Sequence, residues 1–138
     1  MRKNKKPRRQ KPKFPQDISI QAAPKVGQVY WCDFPEDMNA PEFTKLRPVV
    51  IISRKNYLKG HVYCLPITTK KQSSDKESHK IEINGIKGWV VCNHVYTFAT
   101  RRLSVPGRRI PNIPYDEFQQ ILLKFHNTFP KPFLGETE

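Results

Sequence analysis

The chain has 138 residues, which is typical of one domain, and 37% of them are hydrophobic, enough for a core at this size. The formal net charge is +13, of which residues 1–25 contribute +8 through nine basic residues and one acidic residue, so residues 26–138 carry +5. This charge favours polyanions such as RNA or DNA, and no stretch resembles a membrane span or a signal peptide, so we expect a cytoplasmic protein.

Residues 1–25 are predicted to form a disordered arm, because basic residues alternate there with Pro7, Pro12, Pro15 and Pro24. The arm would either hold nucleic acid electrostatically or be a solvated tail. A folded domain is predicted over residues 26–129, followed by a tail over residues 130–138.

The three cysteines, Cys32, Cys64 and Cys92, lie far apart in apolar runs. An odd count argues against a disulfide framework, and the spacing is not that of a zinc site. We therefore expect buried, reduced thiols and no metal.

Three strands are predicted in the first half of the domain. The first spans Val29 to Phe34 and carries large side chains on both faces, as in a small closed barrel. After a Pro-containing acidic loop, continuous apolar runs predict strands over residues 47–53 and 62–67, joined by a turn at Lys59-Gly60.

Residues 70–78 are polar and are predicted to form a mobile loop. A hairpin follows, with strands over residues 80–83 and 88–93 around the turn signal Asn84-Gly85. Residues 95–99 are ambiguous, and residues 101–105 are consistent with another short strand.

A helix is predicted over residues 114–126. Pro114 suits a first turn, and Asp116 and Glu117 favour the positive end of a helix. Phe118, Ile121, Leu122 and Phe125 form one apolar stripe at spacings of three and four. The predicted fold is mainly β: a small antiparallel barrel with a C-terminal α-helix.

Four blocks of the sequence resemble the PemK/MazF family of bacterial toxins. They are residues 27–34, which end in Asp-Phe; residues 47–53, Arg-Pro-Val-Val-Ile-Ile-Ser; residues 66–69, Pro-Ile-Thr-Thr; and residues 88–103. Each block is weak alone, but their order and spacing are specific.

The resemblance implies an SH3-like barrel that forms a homodimer. It also implies metal-independent, sequence-specific cleavage of single-stranded RNA without a cofactor, and inhibition by a cognate acidic antitoxin. Glu42 stands where some members of the family have a catalytic carboxylate.

Cleavage of RNA without a metal ion uses the 2′-hydroxyl as the nucleophile and leaves a cyclic phosphate and a 5′-hydroxyl. Arg47 suits stabilisation of the phosphorane, because guanidinium is always charged and binds phosphate through two donors. Thr68 offers a hydroxyl to the phosphate or to the 2′-oxygen, and Glu42 would act as base or orient Arg47. Alternatively, Arg47 is a surface residue paired with Glu42, and Thr68 only ends a strand.

Further residues are candidates for RNA binding: Lys45, Ser53, His94, Arg101 and Arg102. Ser53 would otherwise close its strand. His94 is also the best of three candidate general acids, ahead of His61 and His79, because imidazole titrates near neutrality. It stands where relatives often carry glutamine. Trp31 and Tyr96 could stack on bases, although a core position is favoured for Trp31.

Two other functions remain open. A toxin of the same fold could bind DNA gyrase without chemistry, but the acidic end of this chain, Gly135 to Glu138, is unlike the apolar tip such toxins use. A basic barrel that only binds RNA or DNA is the other alternative, and Arg47 with Thr68 argues against it.

Overall fold

The computed structural model describes residues 20–35, 45–72 and 76–133. Strand β1 (Val29–Phe34) has the predicted bounds and pairs antiparallel with β2 (Lys45–Ile51). The register sets Cys32 opposite Arg47 and Trp31 opposite Pro48. Because opposed residues share a face, the two strands present two continuous rows of side chains.

Strand β3 (His61–Thr68) is the centre of the sheet. One edge pairs with β2, from Ile51↔Cys64 to Val49↔Pro66. The other edge pairs first with β6 (Tyr96–Ala99) and then, at Ile67 and Thr68, with β5 (Ile86–Val91). The segment predicted as ambiguous, residues 95–99, is therefore largely a strand.

Strands β4 (Ser78–Ile83) and β5 form the predicted hairpin. Asn84 and Gly85 have φ values of 49° and 82°, which are the left-handed values of a type I′ turn. The tight turn fixes the register at Ile83↔Ile86.

The short strand predicted near residues 101–105 is mostly a 3₁₀ turn, Thr100–Arg102, followed by β7 (Leu103–Ser104). Strand β7 pairs with β1 through Cys32↔Leu103, and a further bridge joins Gln28 to Asn112. The segment between them is thus held against β1 at both ends.

The strand order is β4-β5-β3-β2-β1-β7, with β6 also on β3, so the sheet of the described residues is open rather than a closed barrel. Both faces are nevertheless buried, which accounts for the continuous apolar runs. One face packs around Tyr30, Phe34 and Phe98, and the other packs around Leu65, Ile67 and the C-terminal helix.

Helix α1 (Tyr115–His126) begins one residue after the predicted start at Pro114, which is its N-cap, and buries Phe118 and Ile121. It is tied to β4 by His79 Nε2, 3.3 Å from Glu117 Oε1, and by Lys124 Nζ, which donates to the Ser78 carbonyl at 2.8 Å. Within the described part of the chain, no helix has both the length and the apolar character to cross a membrane.

Candidate functional site

The register of the sheet brings Arg47 and Thr68 to the same end of β2 and β3. The last recorded pair is Val49↔Pro66, and each candidate lies two residues further along its own strand. The β2–β3 ladder ends at that pair, and the next residues of β3, Ile67 and Thr68, pair with β5 instead. Arg47 and Thr68 therefore both lie just beyond the same end of the β2–β3 ladder.

Thr68 is almost fully buried, with 5% of its surface exposed. Its Oγ1 accepts a hydrogen bond from the backbone N–H of Lys70 at 3.2 Å. A hydroxyl that accepts one bond can still donate its proton. The carbonyl of Thr68 lies against Gly88 of β5, where a Cβ would clash with the carbonyl oxygen.

A groove of about 420 Å³ opens where β3 leaves β2 to pair with β5. We call it the strand-end groove. It is lined by Trp31, Leu46, Arg47, Pro48, Ile67, Thr69, Gly85, Ile86 and Lys87. Arg47 is half-buried at its border, and Lys87, which the sequence patterns did not single out, adds a second cation. Its position two residues after the Asn84-Gly85 turn was the signal that could have identified it.

Two predicted residues are outside the part of the site that can be described. Glu42 lies outside the described residues. Lys45 begins β2, opposite Phe34, but its side chain is also outside them.

His94 lies in the turn that links β5 to β6. Because β5 pairs with Ile67 and β6 with Cys64, this turn passes beside residues 65–66 of β3, on the edge away from β2. The Nδ1 atom of His94 is 2.9 Å from Asn93 Oδ1, and the ring is half-buried. His94 is therefore separated from the strand of Arg47 by the width of β3.

Ser53 lies at the opposite end of β2 from Arg47, about 20 Å away at 3.3 Å per residue. Its Oγ donates to Asn56 Oδ1 at 2.6 Å and accepts from the backbone N–H of Tyr63 at 3.0 Å. These bonds close the connection between β2 and β3, and the structure does not bring Ser53 to the strand-end groove.

The two arginines of the 3₁₀ turn differ in environment. Arg102 Nη1 donates to the Asp33 carbonyl at 2.8 Å, and its guanidinium lies 5.6 Å from the centre of the Phe98 ring. Arg101 is exposed. Arg102 therefore ties the turn to β1, whereas Arg101 is available at the surface.

Trp31 is half-buried at the strand-end groove, rather than in the core as favoured from the sequence. Tyr96 is also half-buried, but its ring stacks on Phe98 at 5.5 Å and meets the edge of Phe34 at 5.1 Å. Trp31 is thus the better placed of the two for contact with a ligand.

The family model for the PemK-like, MazF-like toxin of type II toxin-antitoxin systems matches residues 25–129. The chain belongs to this toxin family. No protein with a curated description matches the chain.

Solved structures of toxins share the fold of this family member. MazF from Deinococcus radiodurans superposes with a TM-score of 0.66 at 19% identity, covering 78% of this chain and 96% of that one. A mycobacterial endoribonuclease bound to its cognate antitoxin gives a TM-score of 0.62 at 19% identity, covering 80% and 100%. Mycobacterium tuberculosis MazF-mt6 gives 0.55 at 18% identity, covering 73% and 94%.

The three thiols of this PemK/MazF toxin are free and buried, as predicted. A hydrogen bond with the Cys64 thiol, together with burial, raises the pKa of Cys32 well above its ordinary value. Burial raises the pKa of Cys92 from 9.0 to about 11. The Cys32 and Cys92 thiols are therefore protonated at neutral pH. Among residues 20–35, 45–72 and 76–133, no three His, Cys, Asp or Glu side chains cluster as metal ligands would.

Proposed function

We propose that this toxin is an endoribonuclease that cleaves single-stranded RNA at short sequences without a metal ion. The observation that carries the proposal is that Arg47 and Thr68 both lie just beyond the same end of the β2–β3 ladder, where Arg47 and a second cation, Lys87, line a groove. Membership of a toxin family, with endoribonucleases among the chains of similar fold, supports the same conclusion.

In the proposed reaction, the 2′-oxygen loses its proton to a base and bonds to phosphorus. The bond from phosphorus to the 5′-oxygen breaks, and the leaving oxygen takes a proton from an acid. The products are a 2′,3′-cyclic phosphate and a 5′-hydroxyl, so atoms and charge balance without a co-reactant.

Arg47 would stabilise the extra negative charge of the phosphorane. Its guanidinium is permanently charged and offers two parallel donors to phosphate oxygens. Half-burial strengthens this interaction, because a charge is less screened there than in open water. Thr68 would hold a non-bridging oxygen or the 2′-oxygen through its hydroxyl proton.

Glu42 is proposed as the base, or as the residue that orients Arg47, on the resemblance to the family alone. His94 is the proposed acid, although it lies across β3 from the strand of Arg47. Of the exposed cations, Arg101 is proposed to contact RNA phosphates.

We also propose an acidic antitoxin, a homodimer and a cytoplasmic site of action. The formal charge of +13 complements an acidic partner, and a mycobacterial neighbour is bound to its cognate antitoxin. Exposed apolar side chains along one groove of about 1000 Å³, which include Val95, Leu123 and Phe129, are suited to contact with a second copy.

The test is incubation of the purified protein with a long single-stranded RNA in EDTA, with the cut ends mapped by primer extension. We expect cuts at one short recurring sequence with 5′-hydroxyl ends. Arg47→Ala should lower the single-turnover rate by about 10²–10³-fold, as for loss of one transition-state donor, and Thr68→Ala should also lower it.

Arg54→Ala is the matched control, because Arg54 is exposed in the connection between β2 and β3, away from the groove. Circular dichroism would establish that each variant is folded. Full activity of folded Arg47→Ala would remove Arg47 from the mechanism. No cleavage by the unmodified protein, with RNA still bound, would favour a module that only binds nucleic acid.

A further inference from the structure

A second depression adjoins the strand-end groove. It has a volume of about 370 Å³ and is lined by Trp31, Asn84, Gly85, Ile86, Pro106, Gly107, Arg108, Arg109 and Pro111. Trp31, Gly85 and Ile86 line both depressions, so the two lie side by side. We call the combined feature the tryptophan channel.

Positive charge lies at both ends of the tryptophan channel. Arg47 and Lys87 border one end, and Arg108 and Arg109, both exposed, border the other. Of the described residues that line it, none is acidic. Glu82 lies 3.8 Å from Lys87, but both side chains are exposed, so this pair neutralises the channel only weakly.

Trp31 stands between these two ends on a rigid support. It lies in the middle of β1, opposite Pro48 on one side and Ser104 on the other. A half-buried indole held on both sides loses little conformational entropy when a planar ligand stacks on it. The arrangement of an aromatic face flanked by cations is typical of binding sites for single-stranded nucleic acid.

The segment that carries Arg108 and Arg109 is held in place at both ends. Strand β7 pairs with β1 before it, and after it the backbone N–H of Val29 donates to the Pro111 carbonyl at 2.9 Å. The backbone N–H of Ile113 then donates to the Gly27 carbonyl at 2.9 Å. These bonds keep the two arginines on the same side of β1 as the channel.

We propose that the tryptophan channel binds the single-stranded RNA that flanks the cut, with a base stacked on Trp31 and neighbouring phosphates bound by Arg108 and Arg109. This inference rests on the proposed ribonuclease function and assigns to it a binding subsite beyond Arg47. RNA is favoured over an acidic peptide because an acidic peptide would use the cations but not the indole that lines the channel.

The first experiment measures binding without cleavage. A fluorescein-labelled 2′-O-methyl RNA of mixed sequence, whose 2′-oxygen cannot attack, would be titrated into the full chain between 50 and 300 mM salt. Arg108→Ala/Arg109→Ala should weaken binding about tenfold at low salt. It should reduce the slope of log affinity against log salt by about 1.4, since each phosphate contact to a single strand contributes about 0.7.

Arg54→Ala/Lys59→Ala is the matched control, because it removes two exposed charges from the connection between β2 and β3. It should change the slope by less than half as much. An equal change in both double variants would show a general charge effect and overturn the subsite. An unchanged RNA affinity with weaker binding of a polyglutamate peptide would assign the channel to an acidic protein partner instead.

The second experiment reports on Trp31 itself. The chain has two tryptophans, so Trp89→Phe leaves Trp31 as the only indole. The 2′-O-methyl RNA should quench its fluorescence, and Arg108→Ala/Arg109→Ala should shift the quenching curve to about tenfold higher RNA concentration. RNA binding without quenching would overturn the stacked base.

These binding readouts separate the inference from the proposed function. If the unmodified protein cuts no RNA, but Arg108→Ala/Arg109→Ala binds RNA more weakly than it does, the nuclease is refuted and the channel is kept. Normal cleavage with unchanged KM in Arg108→Ala/Arg109→Ala would refute the channel and keep the nuclease.

Discussion

The arginines of this toxin differ in role, because their surroundings differ. Arg102 is occupied in the fold, because it donates to the Asp33 carbonyl and packs on Phe98. Arg108 and Arg109 are exposed on a segment held against β1. Cys32 and Cys92 show the same dependence on environment. A hydrogen bond and burial raise the pKa of Cys32, and burial raises the pKa of Cys92, so both thiols stay protonated in the core.

The pKa of Cys92 predicts a loss of stability at high pH. Because the pKa of the buried thiol is about 11 and its ordinary value is 9.0, the unfolded chain loses this proton first. The stabilising contribution is complete below about pH 9 and disappears as the pH rises to about 11; it is on the order of 2 kcal/mol. Urea unfolding at pH 7.5 and 10.5 should show that Cys92→Ala loses less stability between these two pH values than the unmodified protein does. Equal losses in the two proteins would contradict the assignment.

At the scale of elements, the decisive feature is the change of partner along β3. Its first four residues pair with β6, its last two pair with β5, and its other edge pairs with β2. The change leaves the end of β2 without β3 beside it, which opens the strand-end groove next to Arg47. Gly88 permits the close approach of β5 to Thr68 that this change requires.

Gly88→Ala should therefore disturb both stability and the site. The new Cβ would clash with the Thr68 carbonyl oxygen, which belongs to the backbone and cannot rotate away. We expect a loss of about 1–3 kcal/mol in the free energy of unfolding, measured in urea, and slower RNA cleavage by the protein that remains folded. Gly107→Ala is the control for stability, since a Cβ there meets no atom within 4 Å. A Gly88→Ala protein as stable as this control would refute the close approach.

At the scale of the whole molecule, charge is divided between the domain and the N-terminal residues. Of the formal charge of +13, residues 1–25 carry +8. Long-range attraction of RNA depends on the total charge, whereas the position of the RNA depends on contacts in the groove. The contribution of the total charge to RNA affinity should therefore fall more steeply with rising salt than the contribution of the groove contacts does.

Neutralising the basic N-terminal residues should weaken RNA binding mainly at low salt. The change is replacement by glutamine of the eight basic residues before residue 19: Arg2, Lys3, Lys5, Lys6, Arg8, Arg9, Lys11 and Lys13. The affinity for the 2′-O-methyl RNA should fall at 50 mM salt and converge with that of the unmodified protein at high salt, where screening is short-ranged. An unchanged affinity and slope would show that these residues take no part in RNA binding.

Local patterns were sufficient for much of the fold. The bounds of β1, the Asn84-Gly85 turn and the start of α1 after Pro114 follow from alternation, turn chemistry and the fixed φ of proline, all of which act within a few residues. The apolar runs of β2 and β3 indicated strands buried on both faces. They did not distinguish a closed barrel from an open sheet covered on both sides.

Only the tertiary structure decided what surrounds each candidate. It places Ser53 far from Arg47, gives Arg102 a partner in β1, leaves Trp31 half-buried, and brings residues 31, 85 and 108 to one depression. These facts depend on strand register and on contacts between residues distant in sequence, which local periodicity does not encode. The sequence by itself indicated most of the strands and placed Arg47 in one of them, although that strand begins two residues earlier, at Lys45. The pairing of the strands determined which side chains share a surface with Arg47.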